Sequence, residues 1–218
     1  MHVNELTFAD DPKGLANTAA EDYTDGDEDE DEDDGDDSEK EWRAEHIEEL
    51  RAKAAKAEDK AREARAKLRE SNERKKEVSL KNASGEWKLY SSAYLTAVIG
   101  ANDLDWPVDE VDEDSGAIGE LRIGKEYVED ALPHAKNELG AELDLHGLSE
   151  YSSFQFRRPK HASLDPIDVY VWDMDDESAH KCPFVLLGNG VLELHYPSHI
   201  IPKAFRAAGD VVLVGIQS

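Results

Sequence analysis

Between residues 41 and 79 the apolar positions recur at helical spacing. Ile47, Leu50, Ala54, Ala57, Ala61, Ala64 and Leu68 follow one another at alternating steps of three and four, a heptad seam that predicts one long helix. Ala, Glu, Lys and Arg fill the remaining positions, and all are good helix formers. Glu49–Lys53, Glu58–Arg62, Glu63–Lys67 and Glu70–Arg74 each set an acid four residues ahead of a base, the stabilising order. Ser38, with Glu41 three residues on, resembles a capping box at the start. Ser71, Lys75 and Val78 keep the spacing but lose the apolar character.

After Ser84 the period falls to two. Alternation over Glu86–Ser91, Ile118–Ile123, Leu139–Leu145, Ser153–Arg157 and Asp168–Trp172 predicts half-buried strands. Phe184–Leu187, Gly188-Asn189-Gly190 and Val191–Tyr196 read as a hairpin, because Asn-Gly accepts the positive φ angles of a tight turn. A final strand, Val211–Ile216, follows Ala207-Ala208-Gly209-Asp210 and is expected to close the sheet. Short helices are expected at Ser92–Ile99 and Lys125–Lys136, with an acidic loop at Asp109–Ser115. The fold class expected is α+β: a long N-terminal helix followed by a mainly antiparallel β domain, barrel- or sandwich-like.

Charge divides the chain at the same places. Residues 1–40, 41–79 and 80–218 carry net charges of −15, +2 and −13, which make up the overall −26. The run Asp25–Asp37 holds 11 acids in 13 positions and has no apolar surface to offset chain entropy. Three parts are therefore expected: a disordered acidic tail (1–40), a long charged helix or coiled coil (41–79) and a β-rich globular domain (80–218). A surplus of negative charge disfavours direct binding of nucleic acid and permits basic protein partners. One cysteine, Cys182, allows no internal disulfide, so the chain reads as intracellular, cytoplasmic or nuclear. The start has no basic segment leading into an apolar run, and no apolar run is long enough for a bilayer, so no membrane association is expected.

The succession GEWKLY, LGAELDLHGLSEYSSFQFR, DVYVWD and FVLLGNGVLEL, ending in a short Val/Gly strand, resembles an uncharacterised group of filamentous-fungal proteins. The likeness spans residues 85–216 and leaves out the tail and the helix. Where that group continues its Trp-bearing strand into Arg-Gly-Arg, this chain has Asp173-Met174-Asp175-Asp176. The resemblance implies a β-rich domain in a eukaryotic intracellular setting, and no mechanism.

Candidate chemistry is sparse. His180, Cys182, His195 and His199 flank the hairpin and carry the nitrogen and sulfur donors zinc prefers. Their spacing matches no established ligand pattern, and Pro183 and Pro197 interrupt both pairs. Asp173, Asp175 and Asp176 resemble part of a calcium loop without its glycine or its terminal glutamate. Cys182 beside histidines could serve as a nucleophile, but no cysteine-enzyme signature surrounds it. No catalytic residue and no cofactor are assigned.

The interaction candidates are clearer. Arg157, Arg158 and Lys160 form a basic patch in an acidic domain, suited to an acidic partner or to the chain's own tail. Ile47, Leu50 and Leu68 on the helical seam offer a surface for a partner helix or weak self-association, limited by the small area an alanine seam buries. Trp87, Tyr90, Trp106 and Trp172 are candidate core or interface aromatics. The reading is a non-enzymatic protein-interaction protein. Two alternatives stand beside it: an acidic chaperone or decoy for basic, histone-like proteins, and a barrel binding a small molecule through inward Tyr170, His195 and Arg157.

Overall fold

The computed structural model describes residues 37–80, 82–100, 115–127, 137–146, 152–173, 178–201 and 209–218. The acidic tail up to residue 36, Trp106, Asp175, Asp176 and most of the expected segments 109–115 and 125–136 lie outside them. Of the expected helix at 125–136, residues 125–127 form a bend and turn instead.

The elements in chain order are α1 (Asp37–Glu73), β1 (Gly85–Tyr90), α2 (Ser92–Gly100), β2 (Gly119–Gly124), β3 (Glu138–Leu145), β4 (Ser152–Arg157), β5 (Ile167–Asp173), β6 (Ser178–Gly188), β7 (Val191–Tyr196) and β8 (Val211–Gln217), with a 3₁₀ turn at Ser198–Ile200. All eight strands form one antiparallel sheet in the order β4-β3-β2-β1-β8-β7-β6-β5. Two consecutive four-strand meanders are thus joined through β1 and β8. The outer strands β4 and β5 come side by side, so the sheet curls into a nearly closed barrel. Phe184 spans that seam from β6, its ring centroid 5.7 Å from Phe154 and 5.1 Å from Phe156 of β4.

Register separates inside from outside. Leu192, Gly215 and Leu89 lie opposite one another on β7, β8 and β1, and share a face with Leu213, Leu194 and Phe184. That face is the apolar interior, where Trp87, Leu121, Leu143, Val169 and Val171 are also buried. It leaves no room at Gly215: a Cβ there would sit 2.5 Å from a methyl of Leu192. The other face carries Tyr90, Val214, Glu193 and Val185 in register across β1, β8, β7 and β6.

α1 crosses those same four strands on the outside. Its seam is therefore occupied by its own barrel: Leu50, Ala54, Ala57, Ala61, Ala64 and Leu68 are all buried. Alanine suits this position because a small side chain lets the helix axis approach a flat sheet closely, at the expense of apolar area. The helix opens at Asp37, ahead of Ser38, and ends at Glu73, six residues short of the expected 79. Lys75 just beyond takes a positive φ of 54°, and the chain then leaves the axis. Asn189 (φ 54°) and Gly190 (φ 73°) form the β6–β7 turn as expected. Among the described residues no helix is long and apolar enough to cross a membrane.

Candidate functional site

The basic patch sits where the barrel is least tightly joined. Arg157 closes β4 opposite Glu138, and Arg157, Arg158 and Lys160 are all exposed. The loop that carries them is held at both ends. Arg158 N–H donates to the Asn137 carbonyl at 2.8 Å, and Ala162 N–H donates to the Val78 carbonyl at 2.9 Å. Ser79 pairs with His161 in an isolated bridge, and His161 Nε2 lies 3.2 Å from a Glu77 carboxylate oxygen. The patch is thus stitched to the chain leaving α1. On the neighbouring outer face of β5 and β6, Tyr170 is 59% exposed opposite Lys181, whose ammonium lies 2.8 Å from Asp168.

The seam residues are placed elsewhere. Ile47 is half-buried, whereas Leu50 and Leu68 are enclosed at 0% and 1% exposure. Their apolar surface lies inside this chain, which corrects the expectation that they face a partner helix. Trp87 is buried in the interior and Tyr90 half-buried under α1, while Trp172 lies in β5. The expected inward polar groups also need correcting: Tyr170, His195 and Arg157 all occupy outward positions. The strand parity that buries Val169, Leu194 and Phe156 turns their neighbours out.

Two of the four zinc-donor candidates meet. His199 Nε2 lies 2.9 Å from His180 Nδ1, with the rings edge-to-face at a centroid separation of 4.7 Å. Pro197 does not separate them; it opens the short turn that brings His199 back over β6. His180 Nε2 lies 2.8 Å from the Ser178 hydroxyl. Cys182 points inward and is fully buried, its thiol donating to the His180 carbonyl at 3.6 Å. Burial pushes that thiol up to about 12, so it is neither a ready nucleophile nor a ready thiolate ligand. His195 faces outward and lies 3.8 Å from Glu193. Among the described residues no cluster of three or more His, Cys, Asp or Glu side chains could hold a metal ion.

One arrangement escaped the sequence reading. Glu193, 5% exposed, stands in the outer row under α1 and is gripped by Arg65. The guanidinium Nε donates to both carboxylate oxygens at 2.7 and 2.9 Å, and Nη2 donates to Oε2. Burial alone would raise this carboxyl, but hydrogen bonds and charge from His195 and Arg65 hold it down at about 2. A second polar contact fixes the same helix: Glu58 accepts the Ser92 N–H at 2.8 Å, at the first turn of α2. The signal available was Glu193 itself, a lone acid within VLELHY whose outward cross-strand neighbours, Val185 and Val214, are apolar. Beside this clasp, Lys60, Glu63 and Lys67 of α1 face the β6–β7 turn and Gln217 across an open cleft of about 460 Å³.

No protein family, curated protein or solved structure matches this chain.

Proposed function

We propose that the chain is a non-enzymatic protein-interaction module of the cytoplasm or nucleus, in which the helix-braced barrel presents a rigid basic face to an acidic segment of a protein partner. The observation that supports this reading is the placement of Arg157, Arg158 and Lys160. They are exposed at the end of β4 and on the loop after it, anchored to Asn137 on one side and to residues 78–79 on the other. Anchoring matters because ordering a free loop on binding would cost conformational entropy that this loop has already lost in folding. Exposed Tyr170 on the adjoining strand adds an aromatic contact of the kind enriched at interfaces.

The test is fluorescence anisotropy with a labelled oligoglutamate peptide, using the full chain at low and moderate salt. Binding that weakens with salt, and weakens about tenfold or more in Arg157→Ala/Arg158→Ala/Lys160→Ala, is expected. Equal binding by both proteins overturns the reading. A second reading rests on the run Asp25–Asp37, whose 11 acids suit a decoy for basic proteins. It is separated by its probe: a basic polypeptide is then captured by the full chain and released by neutralising that run with Asn and Gln. The helical seam supports no self-association in this reading, since the barrel covers it.

A further inference from the structure

We propose that His180 Nδ1 and His199 Nε2 form a surface site for a single late first-row divalent metal ion of the Zn²⁺ type. The two ring nitrogens converge from separate elements at 2.9 Å. Two nitrogens bound at 2.0–2.1 Å to one tetrahedral ion stand about 3.3 Å apart, so binding requires the nitrogens to part by a few tenths of an ångström and the rings to turn until both lone pairs meet the ion. His199 is exposed on a three-residue turn and can supply that movement.

The surroundings can support the tautomer this site needs. Ser178 Oγ at 2.8 Å from His180 Nε2 can take the proton of that nitrogen, which leaves the lone pair on Nδ1, facing His199. An acceptor on the far nitrogen of a ligating histidine, most often a carboxylate, a carbonyl or water, is the usual outer support of a metal site, and the hydroxyl takes that place here. His199 then turns from donor to ligand by carrying its proton on Nδ1, so its Nε2 lone pair meets the ion. Both segments are held: His180 in the ladder opposite Val171, and the turn through Ser198 N–H, which donates to the Asp210 carboxylate at 3.3 Å. The globular part's charge of −13 raises the local concentration of any cation. Imidazole ligands then favour zinc, copper or nickel over magnesium and calcium. Cys182 and His195 take no part, the first pointing into the barrel and the second lying on the outer face of β7.

Isothermal titration calorimetry of the untagged full chain with ZnCl₂ tests the site, in buffer holding millimolar Mg²⁺ to occupy the carboxylates. One ion per chain is expected for the native protein and for His195→Ala. His180→Ala and His199→Gln should each weaken binding about tenfold or more, and Ser178→Ala by about tenfold. His199 is exposed, so His199→Gln leaves the core intact, and a native circular dichroism spectrum for that variant verifies this. Absence of stoichiometric binding in the native chain overturns the proposal and leaves only a hydrogen bond between two rings. Binding that survives both histidine substitutions overturns it as well.

Discussion

Arg65 on α1 and Glu193 on β7, 128 residues apart, meet through a guanidinium that donates to both oxygens of a nearly buried carboxylate. This contact sets where along the barrel the helix stops. An alanine seam can slide by a turn with little change in buried area, whereas a two-point ion pair accepts one position. The alanines bring the helix close, and the charge pair gives it an address.

Removing one partner should cost far more than removing both. Arg65→Met leaves the Glu193 carboxylate buried without its guanidinium and is expected to destabilise the fold by about 3 kcal/mol. Arg65→Met combined with Glu193→Leu should recover most of that loss. Urea denaturation of the two variants, followed by circular dichroism, measures both quantities.

The same carboxylate makes the fold acid-sensitive. Its folded value of about 2 lies below its ordinary value of 4.5, so its contribution is complete above about pH 4.5 and is lost as pH falls toward 2. Stability measured across that window should fall less steeply for Glu193→Gln than for the native chain. Parallel pH profiles would remove Glu193 from this role.

Enlarging the seam distinguishes a helix packed on its own barrel from one waiting for a partner. In a helix dimer, Ala61→Leu would add buried area and strengthen association. Here Ala61 is 3% exposed against the sheet, and the same change should destabilise by about 1–3 kcal/mol. Sedimentation velocity should show no shift toward a larger species.

Two glycines give a graded test of packing. A Cβ at Gly215 would meet side-chain atoms of Leu192, while one at Gly119 would lie 2.2 Å from the Asp144 carbonyl oxygen. A side chain can change rotamer and a paired strand backbone cannot. Gly119→Ala should therefore lower the thermal midpoint more than Gly215→Ala, which is expected to cost about 1–3 kcal/mol.

Cys182 should be inert in the native state. It is fully buried and its thiol is pushed up to about 12, so a thiol reagent at neutral pH should label it only on unfolding. Labelling that outpaces global unfolding would reveal local opening of β5 or β6.

Much of the fold was legible because strand alternation is a local signal. GELRIG and VLELHY carry it, VVLVGIQ reads as a short apolar run after a glycine turn, and Gly188-Asn189-Gly190 marks its turn by composition. β6 was legible only from Phe184, because Pro183 interrupts the run, although the strand begins at Ser178. Proline is tolerated there because the pairing of β6 with β7 begins only at Phe184, which leaves Pro183 with a partner on β5 alone. What the seam of α1 packs against was not legible: a run of alanines reads alike whether it faces a second helix or a sheet. Nor was the meeting of His180 with His199, which depends on the turn between Tyr196 and Ile201.

The sheet order has a consequence for how the chain is made. β8, the strand last in the sequence, lies between β7 and β1 and joins the two meanders, with Trp87 opposite Gln217 and Tyr90 opposite Val214. A nascent chain emerging from the ribosome holds β1–β4 and β5–β7 before any strand pairs one meander with the other. Each waits with an unpaired edge where β8 must enter. Synthesis of Val211–Gln217 therefore completes the middle of the sheet, and a ribosome that stalls before Val211 leaves two sheets with facing unpaired edges.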